Sequence, residues 1–184
     1  MGFLIASAAA FVLSHFLLSH VLRAALVARW GEQRFLGFYS GVALATFGAM
    51  AVGFVLAEDG RAYWGVGDFL WGFATLVMLI ASILLMGSLL GNPALPGAAD
   101  DARTPPEPNG VFTITRHPMM WAFALWSVAH VLIFPVDRNL VVTSAILVLA
   151  LGGAALQDGK KAKLHPEFWR LWEARTSYWP FAAV

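Results

Sequence analysis

Four histidines carry most of the chemistry open to this chain: His15 and His20 in the first apolar stretch, and His117 and His130 within RHPMMWAFALWSVAH, residues 116–130. Histidine is the commonest metal-ligating side chain, and haem iron accepts it as an axial ligand. Cysteine is absent, which removes disulfides, thiolate ligands and cysteine nucleophiles together. No acid or lysine falls deep in an apolar stretch, so a carboxylate proton relay is not the leading idea. One buried neutral histidine needs only a hydrogen bond to a carbonyl or serine. Four of them in two apolar stretches point instead to a ligand site.

The elements that must position them are membrane helices. Of the 184 residues, 59% are hydrophobic and 12% charged, half the charged share of about 25% usual in soluble domains, and mean hydropathy is +0.70. Twelve basic residues against eleven acidic ones give a net charge of +1, which offers no field for nucleic acid, and no nucleic-acid partner is expected. A helix needs about 20 apolar residues to cross the hydrocarbon. The sequence predicts spans at 2–22, 35–56, 69–90, 118–136 and 139–156, the last the shortest. Nothing basic precedes the first, so it reads as a retained span rather than a signal peptide. The fold class is therefore all-α: a polytopic bundle of about five transmembrane helices in a single domain, 1–184, with the lipid bilayer as its surroundings.

Arginine and lysine orient the bundle. Arg23, Arg29 and Arg34 fill the first connection, and Lys160, Lys161, Lys163, Arg170 and Arg175 fill the tail from 157, whereas the second connection holds Glu58, Asp59 and Asp68 against Arg61. This places the first connection and the C-terminus in the cytoplasm, the N-terminus outside, and Arg116 and His117 at the cytoplasmic end of span four. The segment NPALPGAADDARTPPEPNG before them reads as a cytoplasmic loop, because its prolines and acids discourage a helix. In the tail, Leu164, Phe168, Leu171 and Trp172 share one helical face, with Tyr178 and Trp179 following, so an interfacial helix in the headgroup layer is expected.

Helix geometry limits which histidines share an iron. His117 and His130 lie about 20 Å apart along one helix and about 140° apart around it, so they cannot be the two axial ligands. Measured from the cytoplasmic arginines, His20 lies about 5 Å deep and His117 about 2 Å, while His15 lies about 12 Å and His130 about 21 Å. His20 with His117 matches best in depth. His15 with His130 is better buried and mismatched by about 9 Å, which helix tilt could absorb. With that second pair as ligands, His20, His117, Arg116 and Arg23 would remain near the cytoplasmic edge, where the carboxylates of a haem meet cations. Pro118 suits a first helical position and biases His117 towards extended geometry, and Arg116 can snorkel to phosphates.

HFLLSHVLRAALVARWGEQRFLGFYS at 15–40, GVFTITRHPMMWAFALWSVAH at 110–130 and TSYWPF at 176–181 together resemble the NnrU family of bacterial membrane proteins. The resemblance covers most of the chain and implies an inner-membrane location and a link to nitrite and nitric oxide reduction. The family is in turn similar to the plant zeta-carotene isomerase, a haem-dependent enzyme that isomerises a cis double bond in a long polyene. That similarity implies haem b as cofactor, metal ligands at His15 and His130, and nitric oxide or a hydrophobic small molecule as partner. His20, five residues after His15, offers a competing alignment. The isomerase has a redox-linked cysteine three residues before the second histidine. Ser127 stands there here, so a thiolate-to-histidine exchange is unavailable. RHP followed by an aromatic tail also resembles the isoprenylcysteine carboxyl methyltransferases, which use S-adenosylmethionine, although Met120 replaces the usual aromatic and the tail pattern is met only by Glu167, Trp169 and Trp172. A third reading, a non-catalytic scaffold or assembly factor, fits the lack of a general acid/base pair.

Overall fold

The computed structural model describes residues 1–95 and 104–183; the centre of the expected cytoplasmic loop, 96–103, lies outside them. Among the described residues the structure is helical, with no strand: α1 (Gly2–Phe16), a π turn (Leu17–Val21), α2 (Arg23–Trp30), α3 (Glu32–Leu56), α4 (Asp68–Gly87), a 3-10 turn (Gly110–Thr113), α5 (Pro118–Ile133), α6 (Asp137–Leu164) and α7 (Pro166–Glu173). Four stretches, Gly2–Val21, Glu32–Leu56, Asp68–Gly87 and Asp137–Leu164, are long and apolar enough to cross a membrane. The chain is a multi-pass membrane protein.

The spans expected at 118–136 and 139–156 exchange their roles as shorter and longer. α5 has 16 residues, about 24 Å of helix against about 30 Å of hydrocarbon, and gives way before Pro135. α6 has 28 residues because no proline lies between Gln157 and Leu164 and the single Gly159 weakens the helix without ending it, and Lys161 and Lys163 suit the negative end of its dipole. His165 leaves helical geometry (φ −136°) because Pro166 follows it, and α7 starts on that proline.

The residues cluster into two compact units, one of 1–74 with 127–149 and the other of 75–126 with 150–184. In the first, Leu4, Ala8, Phe11, Met50, Ala57 and Ala145 form the core. A Cβ on Gly53 would lie 3.0 Å from the Leu4 Cα, so α1 and α3 approach as closely as they do because residue 53 is glycine. Where α3 ends, Arg138 pairs with Asp59 at 2.5 Å and donates to the carbonyls of Phe54 and Ala57 at 3.3 Å. Asp137, in the first turn of α6, accepts from the Arg61 amide and the Tyr63 hydroxyl, both at 2.8 Å. These bonds supply partners for carbonyls at one helix end and fasten the 57–67 connection.

The second unit is built around Trp169 and Trp172, which are buried with Phe168, Phe112, Val111, Ala81, Leu84 and Ala122. The tail helix forms where amphipathicity places it, but these aromatic side chains are covered by protein rather than by headgroups; Leu164 and Trp179 remain exposed. The loop before Arg116 is likewise pinned at its end, since a Cβ on Gly87 would lie 2.6 Å from the Val111 side chain.

Candidate functional site

Arg116 and His117 converge on a carboxylate that the sequence reading left in the tail. Asp158 lies near the end of α6, where it accepts from Arg116 Nε at 2.9 Å, Arg116 Nη2 at 2.8 Å and His117 Nε2 at 2.7 Å. The Arg116 and Asp158 side chains are each 14% exposed and His117 only 1%. Because Arg116 precedes the start of α5, its backbone is free for the tail: its amide donates to the Ser177 carbonyl at 2.8 Å and its Nη1 to the Thr176 carbonyl at 3.3 Å. Thr115 Oγ1 adds a bond to the Tyr178 carbonyl, which also accepts from Trp121 Nε1 at 2.9 Å. The Tyr178 hydroxyl donates to the Leu151 carbonyl, one helical face along from Asp158. Burial, and then the negative charge of Asp158, push the Tyr178 phenol above its ordinary range. Arg116 therefore does not reach for lipid phosphate. It holds a carboxylate supplied by the protein itself.

His15, His20, Arg23 and His130 belong to the other unit. His15 Nδ1 lies 2.7 Å from the Phe11 carbonyl, one turn back in α1. A carbonyl accepts only, so Nδ1 carries the proton and Nε2 carries the lone pair. A metal-binding histidine is usually held in this way, through its second nitrogen. Aromatic edges flank the imidazole: Phe11 at 4.5 Å and Tyr39 of α3 at 5.5 Å between centroids. His20 falls in the π turn, where the Leu22 amide bonds the Leu17 carbonyl at 2.8 Å, so its direction differs from that of a continuous α-helix. Arg23 is paired with Glu32 at 2.5 Å and lies over the Phe35 ring at 5.7 Å. His130, half-buried, sits in the last turn of α5, where Asn139 Nδ2 donates to its carbonyl at 2.9 Å.

His15 has the tautomer, the apolar surroundings and the second-nitrogen partner of an axial ligand. Among the described residues no three histidines or acids gather as a bare metal ion would require, whereas haem iron takes only one or two from the protein. Arg116 and His117 are engaged with Asp158 in one unit and Arg23 with Glu32 in the other, so each of these cations already faces a carboxylate of the chain itself. Phe11, Tyr39 and Asp158 were missed as partners. Asp158 had one signal: a lone acid beyond an apolar run, with no helix breaker between.

Residues 3–184 match the NnrU protein family. The chain belongs to this family. Over 166 residues it is 30% identical to the chloroplastic 15-cis-zeta-carotene isomerase of Arabidopsis thaliana, covering 84% of this chain and 42% of that protein. The chain thus spans less than half the length of that relative. No solved structure matches. The region that matches the NnrU family contains His15, His20, His117 and His130, together with Arg116 and Asp158.

Proposed function

We propose that this NnrU protein binds haem b within the bilayer through His15 and His130, and that it acts on a hydrophobic small molecule in an isomerase-like reaction. The observation that carries the reading is His15 itself: a half-buried imidazole on a membrane helix, its Nδ1 held by the Phe11 carbonyl, leaving Nε2 as the coordinating nitrogen. The similarity to an isomerase supports the reaction class. A bound haem would supply Lewis-acid and one-electron chemistry, while the protein supplies burial and orientation.

His15 and His130 would hold the haem. Phe11 and Tyr39 keep water from the His15 ring edge. Ser127, buried on α5, offers a hydroxyl rather than a thiolate, so imidazoles alone would hold the haem. A haem held here would also suit nitric oxide as a small ligand, which fits the family's association with nitrite and nitric oxide reduction. Arg116 and His117 act on the protein by holding Asp158, and we assign them no part in catalysis.

The test is an absorption spectrum of protein purified from haem-replete cells. A Soret band is expected, abolished or shifted by His15→Ala and by His130→Ala. No band after reconstitution, or a band sensitive only to His20→Ala and His117→Ala, overturns the assignment.

A further inference from the structure

The Phe11 carbonyl fixes which nitrogen of His15 carries the lone pair, but it belongs to the same helix as His15 and ties the ring to nothing else. From another helix, Tyr39 meets that imidazole in an edge contact at 5.5 Å and 76°. Tyr39 is itself braced. It stacks on Phe35 at 6.1 Å and 27°, and Phe35 is 2% exposed. Phe11 also packs against His15, at 4.5 Å, and against Phe47 of α3 at 5.8 Å. The imidazole therefore contacts both an aromatic of its own helix and a braced aromatic of α3. The separation of the two helices is set farther along by the Leu4 and Gly53 contact.

From this placement we infer that Tyr39 is a positioning residue for His15: it fixes the plane of the imidazole and holds the ring in place, and so decides how readily His15 leaves a ligated metal. The inference rests on the proposed role of His15 as a haem ligand and names what regulates that ligand. The contact is made by the ring rather than the hydroxyl, and a phenylalanine at 39 should preserve it. An aromatic edge contact contributes about 0.5–1.5 kcal/mol, which corresponds to a roughly two- to tenfold change in a rate governed by release of the ring. A two-histidine iron binds carbon monoxide only after one histidine departs, so carbon monoxide binding reports that release.

The experiment has two arms on the full chain in detergent. With haem bound, the rate of carbon monoxide binding to the reduced protein should rise about two- to tenfold in Tyr39→Ala and stay at the native value in Tyr39→Phe. An unchanged rate in Tyr39→Ala, or an equal rise in Tyr39→Phe, overturns the inference. In the haem-free protein, labelled imidazole nitrogen spectra should show His15 as a single Nδ1-protonated form, retained in Tyr39→Phe and broadened or averaged in Tyr39→Ala. This second arm needs no haem. If the native protein lacks a Soret band while Tyr39→Ala still loosens His15, the haem reading fails and the positioning contact stands; if His15 is equally ordered in both variants, the positioning claim fails on its own.

Discussion

Replacing Asp158 is the sharpest test of the cluster at the entrance to α5. Asp158→Asn keeps the shape and one acceptor oxygen, but it removes the charge that answers Arg116 and its nitrogens at 2.9 and 2.8 Å, together with the acceptor for His117 at 2.7 Å. Both members of the ion pair are 14% exposed, well under a third, so the figure for a buried pair applies: breaking one partner costs about 3–5 kcal/mol. Arg116 keeps the Thr176 carbonyl and Glu173 at 3.6 Å, which places the expectation at the lower end, about 3 kcal/mol. For a chain of this size that lowers the unfolding temperature by about 6–12 °C, measurable by thermal denaturation in mild detergent. Because Arg116 also carries the tail from Thr176 to Ser177, protease should cut the C-terminal residues faster in the variant. Replacing the trio with Arg116→Met, His117→Phe and Asp158→Leu should recover much of the loss, since no charge is then stranded. A cost below about 0.5 kcal/mol for Asp158→Asn, with an unchanged cleavage rate, would refute the reasoning.

Other outcomes follow from the geometry. Gly53→Val should push α1 from α3 at Leu4 and destabilise the protein by about 1–3 kcal/mol, read by the same denaturation assay, whereas Gly48→Val, with open space at its Cβ, should change little. Tyr178 titrates above its ordinary value; its folded pKa exceeds the unfolded one, so its contribution is complete below about pH 10 and is lost as pH rises through the folded value. Tyrosinate absorbance should show a late component that Tyr178→Phe reduces without abolishing, because Tyr63, bonded to Asp137, also titrates above its ordinary value. Because the chain has no cysteine, Glu58→Cys and Glu107→Cys can report topology: an impermeant maleimide applied to intact cells should label the first and spare the second if the N-terminus is outside.

How far the sequence reached differs by element. The membrane spans were legible because apolar length alone decides whether a helix can cross, and α1, α3 and α4 lie close to their expected ranges. The end of α6 was not, because a charge appearing after an apolar run marks the edge of hydrocarbon but does not stop a helix; only Pro166 does that. The histidines were legible as unusual residues in apolar surroundings. Their partners were not: Phe11 and Tyr39 look like ordinary apolar-stretch aromatics, and Asp158 looks like one more tail acid.

The sequence by itself determined that this is a multi-pass helical membrane protein of the NnrU type, with no cysteine and with histidines placed in or beside its apolar stretches, because composition, apolar length and residue type are local properties. Only the tertiary structure decided which partners those side chains have. It joined residues 116 and 117 to 158 and fastened the tail over them, it buried Trp169 and Trp172 in protein, and it set Tyr39 against His15. The physical reason is that a charge or a ring nitrogen is defined by its nearest neighbours, and these neighbours lie on other helices.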